Sequence, residues 1–177
     1  SLDLKNSFEL SYIFPKTKNE ILFKNHKIQI EYNEDNLSIQ GSGETLIQDE
    51  YDNIEYKILK NDNETKYNTN LTIKNNLFKI DYLNYEKDLK SDLVLNIKTR
   101  KKNKNDNLIF DVISLKENNN IISINDLVLS KKNKINNIGN IKIDFIDKEN
   151  LENKIQIIKK DKSYLVKGTS FNIKEII

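Results

Sequence analysis

Asn36 to Gln48 read NLSIQGSGETLIQ, and the reading of this stretch decides the fold. A strand-like run, Leu37-Ser38-Ile39-Gln40, flows into Gly41-Ser42-Gly43, which is how a phosphate-cradling loop begins. Such a loop needs a third glycine or a Gly-Lys-Ser/Thr ending that opens a helix, so that the first free amides face the phosphates. Here Gly43 leads to Glu44, Thr45, Leu46, Ile47 and Gln48, then to the acidic turn Asp49-Glu50-Tyr51-Asp52-Asn53. That exit repels anions and leaves no room for a helix. The glycines instead mark a strand that bends, or one that another backbone approaches closely.

Period two runs outward from this stretch in both directions. After an apolar entry at Phe8, Leu10, Tyr12 and Phe14, closed by Pro15, apolar and polar residues alternate in short bursts. The apolar sets are Ile28/Ile30/Tyr32, Leu37/Ile39, Ile54/Tyr56/Ile58, Leu71/Ile73, Phe78/Ile80/Tyr82, Leu93/Leu95/Ile97 and Phe110/Val112. They continue as Ile122/Ile124, Leu127/Leu129, Ile141/Ile143/Phe145, Ile155/Ile157 and Tyr164/Val166. Residues two apart share a sheet face, so about twelve strands with one wet and one dry face are expected. Between them lie Asn33-Glu34-Asp35-Asn36, Asn61-Asp62-Asn63, Asn75-Asn76, Asn103 to Asn107 and Asn118-Asn119-Asn120, residues that tolerate left-handed backbone and suit hairpins. An antiparallel meander follows.

Helix is scarce. Tyr85 to Asp92, Asp147 to Asn153 and Asn172 to Ile177 each suffice for a turn or two, the last with Asn172 and Glu175 at capping-box spacing. So little helix cannot cover a sheet of that size, which must close as a sandwich or barrel or curve into a half-pipe. No linker or exact repeat divides residues 1–177, which read as one segment.

Composition narrows the chemistry. Lys+Arg is 29 against Asp+Glu 27, so a net charge of +2 supplies no field for nucleic acid. Cys, Met and Trp are 0, Gly is 4 and Pro is 1, which excludes disulfides and thiolate metal sites. Alanine is absent, and Asn, Lys and Ile, all encoded by A/T-rich codons, are abundant. The Asn-x-Ser/Thr matches at Asn36, Asn63 and Asn70 are those such a composition produces by chance. Without an initiator methionine the chain is expected to be a segment or a processed product. No apolar run reaches the roughly 18 residues of a membrane helix, and no signal peptide is visible.

His26, the single histidine, is expected at a solvated loop end, because no cysteine or carboxylate cluster stands at ligand spacing from it. Asp49, Glu50 and Asp52 lack the alternation and central glycine of a calcium loop. Lys98, Arg100, Lys101, Lys102 and Lys104 could meet phosphate groups, but no aromatic residue interleaves them, and a solvated hairpin is the simpler account. No nucleophile-base pair can be assembled, so no enzyme, cofactor or metal is expected.

Two stretches carry a resemblance. One is Leu37 to Gly43 followed by Asn53-Ile54-Glu55-Tyr56-Lys57-Ile58. The other is Tyr164 to Ile177, a strand ending in Gly168 and then a short apolar turn. In this order they resemble the AsmA-like family of envelope proteins, the relatives of TamB and YhdP. The resemblance implies an all-β, long curved antiparallel sheet, a repeating β-groove whose apolar trough carries phospholipid between the inner and outer membranes of a Gram-negative cell. The lining it implies is the alternate apolar set above without Tyr32, Tyr82 and Phe145. The implied partners are phospholipid acyl chains and flanking β-groove segments of the same chain, with no nucleic acid. Membrane contact, through an inner-membrane anchor, lies outside this periplasmic segment. On the residues alone, a closed β-sandwich or barrel serving as a structural or adhesive surface module remains the alternative, its alternate residues then being ordinary core.

Overall fold

The computed structural model describes residues 14, 16–17, 21–103, 107–132 and 134–172. The strands are β1 (Leu22–Asn33), β2 (Asn36–Leu46), β3 (Tyr51–Lys60), β4 (Glu64–Ile73), β5 (Lys79–Ile80), β6 (Tyr85–Glu86) and β7 (Leu93–Lys102). They continue as β8 (Leu108–Glu117), β9 (Asn120–Leu129), β10 (Ile135–Asn137), β11 (Asn140–Ile146), β12 (Glu152–Lys160) and β13 (Ser163–Ser170). One antiparallel sheet runs in the order β1-β2-β3-β4-β7-β8-β9-β11-β12-β13, with β10 attached to β9. Among the described residues β1 pairs only with β2 and β13 only with β12, and the sheet is not closed into a barrel. Among the described residues no helix is long and apolar enough to cross a membrane.

The turn chemistry accounts for the meander. Glu34-Asp35, Asn118-Asn119 and Asp161-Lys162 are two-residue hairpin loops, each with positive φ at its first residue. This is where asparagine and aspartate are least strained, and where Glu34 is the exception. At the β3–β4 turn, Asn61 Oδ1 accepts hydrogen bonds from the amides of Asn63 and Glu64, both at 2.9 Å.

Several sequence expectations are corrected. Phe78, Ile80 and Tyr82 do not form a strand of the sheet. They belong to a separate insert, residues 74–92, built on the short β5–β6 ladder and a one-turn 3-10 helix at Asp81–Leu83. Tyr85 to Asp92 begins with β6 rather than a helix, and Asp147 to Asn153 spans the β11–β12 turn and the start of β12. Of the third helical candidate, 173–177 lie outside the described residues. Ile122/Ile124 and Leu127/Leu129 share the single strand β9, with Asp126 at positive φ between them.

Register places the dry residues on one face. One row runs Ile28, Gly41, Tyr56, Thr69, Ile97, Ile113, Ile124, Ile141, Ile157 and Val166. The row beside it runs Gly43, Ile54, Leu71, Leu95, Leu115, Ile122, Ile143, Ile155 and Gly168. Val112 departs from the expected lining, because a bulge between Lys98 and Thr99 pairs it with Lys98 and Asn125 on the reverse face. Ile113 takes its place.

Candidate functional site

The insert covers one end of the apolar face. Phe78 and Tyr85 join Phe14, Ile47, Leu71, Ile73, Leu93, Leu115, Ile122, Ile143 and Phe145 in the buried core. The rings meet edge to face, Phe14 with Phe78 at 5.2 Å and Tyr85 with Phe145 at 5.3 Å, an arrangement that favours their quadrupoles. Leu115, Phe145, Ile47 and Tyr85 were missing from the expected lining. Phe145 continues the period of Ile141 and Ile143, so its signal was present, whereas Leu115 is out of phase with the chosen Phe110 and Val112 because of the bulge before Ile113. Ile47 sits in a turn and Tyr85 in the two-residue strand β6, where periodicity has nothing to say.

Polar side chains pin the insert from beneath. On one side, fully buried Asp52 accepts from the Lys74 amide at 3.1 Å and from Asn76 Nδ2 at 2.8 Å. Gln48 Nε2 donates to the Leu77 carbonyl at 2.7 Å. In the middle, Glu117 accepts the Tyr85 hydroxyl at 2.6 Å, the Asp88 amide at 2.8 Å and the Ser91 hydroxyl. At the far side the Lys148 amide donates to the Asn84 carbonyl at 3.3 Å. Buried Lys87 caps the Lys74 and Asp88 carbonyls at 2.6 and 2.9 Å. The β2–β3 and β11–β12 connections lie six strand spacings apart, about 29 Å on a flat sheet. One short insert holds both, so the sheet bends around it.

These groups hold the insert through buried and part-buried hydrogen bonds. Burial pushes the Asp52 carboxyl upward against the pull of its hydrogen bonds from Asn76 and Lys74. Burial and the Glu117 carboxylate push the Tyr85 phenol far upward, so it stays a neutral donor. Among the described residues no group of three or more histidines and carboxylates is placed to hold a metal ion.

Away from the insert, no second layer covers the apolar face among the described residues. Ile39, Ile58, Ile97, Phe110, Ile124, Leu127, Leu129, Ile141 and Ile157 are half-buried. On the flanks Ile30 is 64% exposed and Val166 56%. Of the expected lining, Leu71, Ile73, Leu93, Ile122 and Ile143 are buried under the cap. Phe78 and Ile80 belong to the cap itself. Ile28, Leu37, Ile54, Tyr56, Leu95, Ile155 and Tyr164 complete the face, half-buried or exposed.

The opening glycines serve rings. A Cβ on Gly41 would stand 2.5 Å from the Tyr56 ring, and one on Gly43 would stand 2.3 Å from the His26 ring. His26 is therefore not at a solvated loop end. It sits at the β1 bulge between Lys24 and Lys27, half-buried, with Nε2 3.1 Å from the Glu44 carbonyl. It stacks on Tyr56 at 6.0 Å and meets Phe23 edge-on at 4.9 Å. The three rings cover the glycine gap that two missing side chains would leave.

Farther along the sheet the reverse face carries Val94, Ile109, Val112, Ile121, Val128, Ile158 and Leu165, but from β1 to β4 it is mostly polar. A cleft of about 600 Å³ there is lined by Lys27, Gln29, Gln40, Glu55, Lys57, Asn68 and Asn70, among others. Its amides bond one another, with Gln40 Nε2 donating to Gln29 Oε1 at 2.9 Å. Ile28 and Tyr56 also touch this cleft, but charges and amides make up most of its lining, whereas the continuous apolar rows lie on the trough face, which is the candidate site. Within the basic run, Arg100 Nε pairs with Asp111 at 2.9 Å on this reverse face, and Lys104 lies outside the described residues.

The described residues form one antiparallel sheet that is not closed into a barrel, with an apolar face capped at one end. No family model, curated protein or solved structure matches the chain.

Proposed function

We propose that the chain is a segment of a bridge-like lipid-transfer protein whose apolar trough carries phospholipid acyl chains. The observation that carries this reading is the continuous apolar face, which among the described residues has no second protein layer beyond the capped end. A contiguous exposed apolar surface of this kind marks a binding site. Moving an acyl chain of about 16 carbons into water costs on the order of 13 kcal/mol, at roughly 0.8 kcal/mol per CH₂. An apolar trough removes most of that cost without specific contacts, which suits a lining of Ile, Leu, Val, Phe and Tyr. The AsmA-like resemblance supports the same reading, and with it a place in the periplasm between two membranes, with flanking β-groove segments and a membrane anchor supplied elsewhere.

The test compares the two faces. Ile58→Asp and Ile97→Asp put a charge into the trough outside the capped core, whereas Leu59→Asp puts one on the reverse face. Uptake of fluorescent phospholipid from vesicles should fall at least about fivefold for the first two, the effect of about 1 kcal/mol, and stay unchanged for the third. Equal behaviour of the two faces, with circular dichroism showing all variants folded, would favour a structural module instead.

A further inference from the structure

The apolar face is banded along the strands, and the banding orients a lipid. β3, β7 and β12 carry Lys60, Lys101 and Lys159 on this face, at the end away from the insert. Lys60 and Lys101 are exposed, and each is in register with Thr65 of the strand between them. Their backbones therefore lie about 10 Å apart, two strand spacings, within reach of one anion on flexible stems. Lys159 stands one row deeper, in register with Tyr164, and its Nζ donates to Asn137. No carboxylate of a described strand shares these two rows.

Tyrosines interleave the lysines. Tyr32 in the Lys60 row is 76% exposed, Tyr67 40% and Tyr164 51%. Exposed tyrosine beside lysine, at the border of an apolar band, is the composition of a bilayer interface, because both side chains keep a polar tip wet over an apolar stem. The opposite end of the same face carries the buried carboxylates Asp52 and Glu117 under the insert and closes to water. Between the two ends the apolar band runs on β3 from Ile58 to Ile54, four residue steps, or about 14 Å of strand. One leaflet of a bilayer has a hydrocarbon depth of about 15 Å.

We infer that this Lys/Tyr lip is the headgroup side of the trough. It binds the phosphate of a phospholipid whose acyl chains lie along the strands with their ends toward the cap. This rests on the acyl-binding reading above and adds to it an anionic headgroup and a direction. Lipids would then stand side by side across the sheet, heads at the lip.

Calorimetric titration with dioctanoyl phosphatidic acid and with dioctanoylglycerol tests it, since the two share acyl chains and differ in the phosphate. The phosphatidic acid should bind roughly tenfold tighter, a difference of about 1.4 kcal/mol. K60Q/K101Q, at two exposed positions, should remove that difference and leave dioctanoylglycerol binding unchanged, with the same strand signal in circular dichroism. Equal affinities in the unaltered protein would overturn the lip while leaving the trough intact. Failure of both lipids to bind would overturn the trough reading and the lip with it. Inorganic phosphate binding alone as tightly as phosphatidic acid would mark a free-anion site and overturn the headgroup assignment.

Discussion

At the residue scale the trough depends on where side chains are missing as well as where they are present. Gly41 yields its space to the Tyr56 ring, which is mobile, whereas a Cβ on Gly168 would meet the Lys154 carbonyl oxygen at 2.6 Å and the Ile155 Cα at 3.2 Å. Backbone cannot rotate away. Gly168→Ala is therefore expected to destabilise the protein by about 1–3 kcal/mol through overpacking, despite the better strand propensity of alanine. Gly41→Val should cost less once Tyr56 is also alanine, and a double-mutant cycle in urea should show coupling of about 1 kcal/mol. Independent effects at 41 and 56 would mean that ring and glycine do not meet.

Asp147 is the residue whose titration matters. Burial alone would raise its carboxyl. The hydrogen bonds from Asn172, from the Leu151 and Glu149 amides and from Asn153 outweigh that and hold it below the usual carboxylate value. A lowered folded value means that the charged form contributes stability above the unfolded pKa of about 3.9, and that this is lost as pH falls through the lower folded value. Acid should thus loosen the β11–β12 turn first, and hydrogen exchange at Glu149 and Leu151 should rise below about pH 4 ahead of the sheet. In Asp147→Asn that pH step should vanish. An unchanged step would assign it to another group.

At the scale of elements, the insert and the sheet are held by different forces. Hairpin ladders hold the strands, whereas the insert hangs on buried carboxylates. Glu117→Ala leaves the Tyr85 hydroxyl, the Asp88 amide and the Ser91 hydroxyl without their acceptor, at a cost of about 2–4 kcal/mol. Limited proteolysis should then cut within residues 74–92 while the strand signal in circular dichroism persists. Loss of both together would make cap and sheet one cooperative unit.

This division also explains what the sequence made legible. The strands from Ile28 to Val166 were readable because a half-buried strand writes its face into every second residue. Phe78/Ile80/Tyr82 has the same alternation, yet those residues leave the sheet, because period two cannot tell a sheet strand from a two-residue ladder in an insert. Val112 was misplaced by a bulge, since one extra residue reverses every side chain beyond it. Asp52 and Glu117 looked like ordinary surface acids. Only the tertiary approach of Asn76 and Tyr85 gives them a buried role, and no local pattern announces that.

At the scale of the whole molecule, the two edges differ. β1 offers a strand broken by the Lys24–Lys27 bulge, with Asn25 at positive φ and Lys24, Lys27 and Glu31 along it. Bulges and charges of this kind discourage a further strand from adding. β13 has one charge, Lys167, and exposed residues from Ser163 to Thr169, with Tyr164, Leu165 and Val166 among them. A strand added at β13 would continue the apolar row that ends in Val166, so the same pairing that satisfies the edge also lengthens the trough. The isolated 177 residues are therefore expected to associate through β13, and light scattering should give a mass that grows with protein concentration. Val166→Lys should hold the protein as a monomer, because a charge on the trough face of the free strand opposes both the pairing and the apolar contact. Ile30→Lys, on the already blunted β1, should leave the association unchanged. A monomer at every concentration without substitution would show that β13 is not an open edge, and would remove the structural basis for adding further strands to the trough on that side.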